Sequence, residues 1–201
     1  MVIGIGIVTA RRVRHAVPWP CARIPFFVRL QQGIEGLLWL LLPDRAPTCI
    51  VVLTQVCSGF SQLFWPVFIP VAMLLLETVR WRRIALLGFC GAGVAMALFL
   101  LVQMLHQPVV AQIEAMHIRY IFHHYRQGIA TVLYLLSACI APMLSSHRPM
   151  RIFGVAATLS MTLAFVVYEA WFISVWCFFA ALLSATILLQ FPRAVPRRTG
   201  A

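Results

Sequence analysis

Six apolar stretches, each near twenty residues and separated by short segments carrying arginine, proline or histidine, constrain this chain more than any other feature. They run over roughly 24–42, 50–77, 84–105, 128–144, 151–168 and 171–191. A helix needs about 20 residues to cross some 30 Å of hydrocarbon at 1.5 Å per residue. Lipid offers backbone N–H and C=O groups no partner, so stretches of this kind close their hydrogen bonds inside helices. Composition agrees: 62% of residues are hydrophobic and 10% charged, against about 25% charged in a soluble domain. The expected fold is all-α, a polytopic transmembrane helix bundle of six full spans. It forms one domain over 24–191, between a short apolar, arginine-rich segment (1–23) and a basic tail (192–201).

The opening "MVIGIGIVTA" is about half a span long. Its positive charges follow the apolar run, which is the wrong order for a signal peptide. It reads as the tail of a truncated span or as a short surface segment. "GIG" lacks the third glycine and the βαβ context of a dinucleotide motif.

Charge placement gives an orientation. All 16 basic residues are arginine. Arg11, Arg12, Arg14 and Arg23 precede the first span; Arg80, Arg82 and Arg83 join the second to the third; Arg148 and Arg151 join the fourth to the fifth; Arg193, Arg197 and Arg198 follow the sixth. These fall on one side, and Arg45, Arg119 and Arg126 on the other. The positive-inside rule places the richer side, with both termini, in the cytoplasm. The net charge of +11 then reports topology and attraction to anionic headgroups on the cytoplasmic side, and calls for no nucleic-acid partner. With no lysine, a retinal-type Schiff base is excluded. The six cysteines show no CxxC spacing and read as small buried hydrophobes rather than disulfides or a zinc site.

Polar residues inside spans are expensive in lipid and mark function by default. The first span carries Gln31, Gln32 and Glu35. The second carries Gln55, Ser58 and Gln62 at i, i+3, i+7, hence on one helix face, followed by Pro66 and Pro70, which kink it. Ser174 and Cys177 are i, i+3 neighbours in the sixth span, and Glu169 lies in the turn before it. The loop 106–127 shows Val109, Val110, Ile113, Met116, Tyr120 and Ile121 near helical period, which predicts an amphipathic surface helix bearing Glu114 and His117 at i, i+3. Counted by depth, Gln31, Gln32, Glu35, Gln55, Ser58, Gln62, Ser174 and Cys177, topped by Glu169 and His117, converge on a polar pocket in the outer half of the bundle. Glue between helices is the competing role for the amides and hydroxyls. Glu77 is expected in a surface ion pair with the "RWRR" segment. Gly88, Gly91 and Gly93 permit close helix approach, including between subunits; the sequence leaves the oligomeric state open.

At "QQGIEGLLW", "WPVFIPVAMLLLE", "HIRY", "SSHR" and "YEAWFISVWCFFAALLS" the chain resembles a family of small, uncharacterised bacterial multi-pass membrane proteins. The resemblance covers about 24–191. It implies a further span ahead of the first and supplies no activity; the expected location is the bacterial inner membrane. A more distant comparison is the superfamily of seven-span membrane hydrolases that includes alkaline ceramidases, which use Ser, Asp and three His around zinc. Here the HxxxH pair is absent and no Asp lies in a span, so Ser58, Glu35 and His117 would have to stand in.

Three functions are open to such a chain. The first is binding or transport of a small polar ligand, ion or lipid headgroup in the polar pocket. The second is a membrane-embedded, metal-dependent hydrolase. The third is a purely structural bundle. The inventory of amides and hydroxyls, without a nucleophile–base pair, favours the first. No metal or cofactor is expected.

Overall fold

The computed structural model describes residues 23–43, 47–114, 117–122, 127–167, 175–177, 179 and 183. The termini, Glu169 and Ser174 lie outside these, as does the sixth span apart from 175–177, 179 and 183. The described chain is mostly helical: α1 Ile24–Leu41, α2 Pro47–Gly59, α3 Trp65–Leu76, α4 Arg80–His106, α5 Gln127–Tyr134 and α6 Arg148–Val167. Three helical runs, Thr48–Leu76, Arg80–His106 and Arg148–Val167, are long and apolar enough to cross a membrane, and Val132–Leu144 is a shorter apolar helix. α1 has 18 residues but is set apart from those three by Arg29, Gln31, Gln32 and Glu35.

Polarity is inverted relative to a soluble bundle. On α1 the buried face is Ile24, Val28, Gln31, Glu35 and Leu38, while Phe26, Leu37 and Leu40 are exposed. On α2 and the segment after it Thr54, Cys57, Ser58 and Ser61 are buried, with Val51, Val52 and Val56 outside. Polar inside and apolar outside is the arrangement that suits hydrocarbon.

The second span bends where proline requires it. A π-helical segment, Phe60–Phe64, joins α2 to α3, and α3 carries Pro66 in its first turn and Pro70 inside. Pro70 has no N–H for the Pro66 carbonyl four residues back. That carbonyl is covered by α4: a side chain added at Gly93 would overlap Pro66 O and reach within 3.4 Å of Ser137 Cβ. Gly93 therefore serves packing within the chain. Gly88 and Gly91 face open space. A second π segment, Leu135–Ile140, and a 3₁₀ turn, Ala141–Leu144, continue α5 ahead of α6.

Of the six full spans expected, three are matched by helices of that length and apolarity among the described residues, and the predicted all-α fold also needs a correction. The loop after α4 is a two-stranded antiparallel hairpin, β1 Val110–Glu114 with β2 His117–Ile121, and no surface helix forms there. Its register pairs Ala111 with Tyr120 and Glu114 with His117, so Glu114 and His117 are cross-strand neighbours rather than i, i+3 partners. Ile118 and Tyr120 are buried between the half-buried His117 and the exposed Arg119, a period-2 alternation that belongs to a strand. The hairpin lies on Leu38, Cys57 and Val109. It closes one end of the bundle, and the arginine-rich loops close the other.

Glu77 also corrects its expectation. The pair with the "RWRR" segment forms, to Arg82, but Glu77 is 1% exposed and sits in a buried knot rather than at the surface. Oε1 accepts the N–H groups of Thr78 and Val79, both at 3.0 Å, and the Ser146 hydroxyl at 2.8 Å, while Oε2 accepts Ser146 N–H at 2.7 Å. Arg82 stands 3.9 Å from Oε2 and donates to Ser146 Oγ at 2.8 Å. The carboxylate thus sits at the N-terminal end of α4, where the helix dipole favours an anion, and ties the α3–α4 junction to the loop before α6.

Candidate functional site

Near the middle of the bundle the buried face of α1 meets α3 and the sixth span. Trp65 donates its indole N–H to Gln31 Oε1 at 2.6 Å, and Gln31 Nε2 donates to Cys177 Sγ at 2.8 Å. Gln31 is 3% exposed and Cys177 5%. A single amide therefore bridges three elements, using both its acceptor and its donor.

On the arginine-rich side of this bridge lies a cavity of ≈ 40 Å³, room for a small cluster of water-sized groups. Its walls are Ile24 and Val28 of α1, Ile69 of α3, and Phe153 and Ala157 of α6. Gln31, Gln32, Trp65 and Cys177 border it too, together with Tyr134 and Ala138. Both π-helical segments abut it: Trp65 directly follows the first, Tyr134 directly precedes the second, and Ala138 lies within the second. π-bulges occur frequently at functional sites.

On the hairpin side lies a second group. Gln32 Nε2 donates to Glu35 Oε2 at 3.3 Å. The Glu35 carboxylate lies within electrostatic reach of Cys57, Tyr120 and Cys177. Cys57 Sγ and the Tyr120 hydroxyl share a hydrogen bond of 3.2 Å. Burial foremost, and then the Glu35 carboxylate, push the Tyr120 phenol well above its ordinary range. Gln32 is the link between the groups, bordering the cavity and holding Glu35.

Of the ten residues read from the sequence, the structure joins Gln31 to Cys177 and Gln32 to Glu35. Ser58 and Gln62 are buried, and the Ser58 hydroxyl has no hydrogen-bond partner among the described residues. Gln55 turns to the hairpin instead, donating to Val109 O at 2.8 Å and accepting Val109 N–H at 3.4 Å. His117 sits on β2 opposite Glu114. Glu169 and Ser174 lie outside the described residues. Among the described residues no group of three or more His, Cys, Asp or Glu is placed to hold a metal.

Sequence reasoning passed over Trp65, Cys57 and Tyr120. Trp65 looks like one more aromatic in an apolar run, and only its buried N–H, which needs an acceptor, marks it. Cys57 lies one residue before Ser58, beside the helix face that Gln55, Ser58 and Gln62 define. Tyr120 becomes visible only when "HIRYI" is read as a strand.

These features define a helical bundle compatible with a membrane protein, with polar groups collected at a central cavity. The chain belongs to the family described as "Family of unknown function (DUF6629)", which it matches over residues 1–200. Comparison with curated proteins and with solved structures finds no match.

Proposed function

We propose that this chain is an integral membrane protein that binds a small ligand within the bundle, as the first step of either sensing it or moving it across the bilayer. The observation that carries the reading is the cavity headed by Gln31, a buried amide bonded to Trp65 and Cys177. A mostly apolar recess with a few convergent polar groups is the usual form of a small-molecule site. In this reading the protein is a bacterial inner-membrane protein with six spans and cytoplasmic termini, and the arginine-rich end faces anionic headgroups. Glu35, behind Gln32, is the group through which proton binding would be coupled to occupancy.

The test is to purify the protein in detergent and compare co-purifying small molecules by mass spectrometry between wild type and Ala157→Leu, which fills the cavity. A molecule retained by wild type and lost from the variant, with unchanged thermal unfolding, supports binding there. Identical extracts from both proteins would leave the bundle with a structural role.

A further inference from the structure

The chemistry of the cavity goes further than its existence. Every described side chain bordering it is uncharged. Its polar groups are Gln31, Gln32, Trp65 and Cys177, with the Tyr134 phenol on α5. One to two turns from Gln31 and Trp65 along α1 and α3 the walls are Ile24, Val28 and Ile69, faced by Phe153 and Ala157 of α6. An ion or charged solute placed here would lose its hydration and, among the described residues, would meet no charged group on the cavity wall, the nearby Glu35 carboxylate lying behind Gln32, which is unfavourable for a buried ion. A ligand that is apolar along most of its length meets matching walls.

Gln31 defines what the head of such a ligand must offer. An amide oxygen accepts two hydrogen bonds and an amide nitrogen donates two. Trp65 takes one acceptor position and Cys177 one donor position. Among the described residues one lone pair and one N–H remain without a partner on a side chain that is 3% exposed. A hydroxyl, carbonyl or neutral amide fits that pair; a carboxylate or ammonium fits half of it and brings an unbalanced charge.

We infer that the cavity takes an uncharged, mainly apolar ligand, or the end of a larger one, whose single hydroxyl, carbonyl or amide pairs with Gln31. This rests on the binding reading above and narrows it, removing ions and charged headgroups from the classes it allows.

Two probes of nearly the same size and shape separate these classes: 2,2,2-tribromoethanol, which is neutral, and tribromoacetate, which is anionic. Both carry heavy atoms that quench tryptophan, and Trp65 and Trp176 border the cavity. The measurement is fluorescence quenching of the detergent-purified protein against probe concentration. The neutral alcohol is expected to give a saturable component over the linear background of detergent partitioning, and tribromoacetate only the background. Ala157→Leu should abolish the saturable component. Gln31→Leu should weaken it about five- to tenfold, the effect of one hydrogen bond, provided that thermal unfolding shows each variant folded. A saturable component from tribromoacetate equal to or stronger than that from the alcohol would overturn the ligand class and leave the binding reading intact. Saturable quenching by neither probe in wild type, or quenching unchanged in Ala157→Leu, would remove both.

Discussion

Glu35 and Glu77 are both buried, at 6% and 1% exposure, yet they are held in opposite ways. Glu77 is fixed by backbone: Thr78, Val79 and Ser146 point N–H groups at it, and the Ser146 hydroxyl adds a fourth bond. Those donors cannot turn away without moving α4 or the loop before α6. The described groups around Glu35 are side chains: Gln32, Cys57, Tyr120 and Cys177. Side chains can change rotamer, and three of these four are acids rather than cations. One carboxylate is built to hold two loops together. The other is surrounded by described groups that can rearrange, as the proposed binding function would require of it.

The largest effect expected from this contrast is at Glu77. Burial opposes its ionisation, but the hydrogen bonds from Val79, Ser146 and Thr78 outweigh it and hold its carboxyl down at about 2, against an ordinary value of 4.5. A depressed carboxyl stabilises the fold fully above its unfolded value and loses that contribution as pH falls through the folded one. The window is therefore about pH 4.5 down to 2, and the knot is intact at neutral pH. Glu77→Ala should cost on the order of 3 kcal/mol, because several buried donors lose their acceptor together. Thermal unfolding in detergent from pH 7 to 3 checks this: the wild-type advantage over Glu77→Ala should shrink towards acid. By contrast Glu35→Gln should change stability by less than about 1 kcal/mol, since it keeps the shape and an oxygen to accept from Gln32, while altering the proposed binding of small ligands. Equal destabilisation at the two positions would erase the distinction.

Next in size is Gly93. Alanine there would overlap the Pro66 carbonyl oxygen, the one left without its helical partner by Pro70. The adjustment must move α3 or α4 and with it Trp65, so about 2 kcal/mol of destabilisation is expected, together with disturbed quenching at the cavity. Gly88→Ala and Gly91→Ala, which meet open space, should stay within about 0.5 kcal/mol of wild type. If Gly93→Ala lowers stability but leaves the cavity's quenching untouched, the site is less dependent on α3 placement than its geometry indicates.

Depth counting along the apolar spans puts Gln31 and Cys177, 146 residues apart, at one level, and the structure joins them, because in a helical bundle a residue's level follows from its position in its helix. It also grouped Gln32 with Glu35, which the structure joins. It could not give azimuth. Gln55 shares helical spacing with Ser58 and Gln62, but it lies nearer the hairpin end of α2, and its amide goes to the Val109 backbone; the π segment Phe60–Phe64 breaks the regular spacing only from there to Gln62. Partners across loops were also beyond reach: the ion pair with Arg82 of "RWRR" is legible from adjacency, but Ser146, which supplies two of the bonds to the carboxylate, is 69 residues away. The hairpin was misread because its apolar residues satisfy a helical period over a long window. Only the shorter alternation of Ile118, Arg119 and Tyr120 reveals the strand.

The smallest effect tests the hairpin's hold on the Glu35 group. Tyr120 reaches from β2 to Cys57, and Gln55 reaches from α2 to the backbone at Val109 just ahead of β1. These are the polar ties described between the hairpin and α2, beside the apolar contacts of Ile118 and Ala111. Tyr120→Phe keeps the ring and removes the hydroxyl, so a loss of about 1 kcal/mol is expected. If the hairpin is a lid over Glu35, that loss should fall on the hairpin alone: faster amide hydrogen exchange at residues 110–121, with exchange in α3 and α4 unchanged. Exchange rising equally throughout would make Tyr120 an ordinary core residue. In that case the hairpin would belong with the rigid Glu77 end of the molecule, and the responsive region would reduce to the cavity and Glu35.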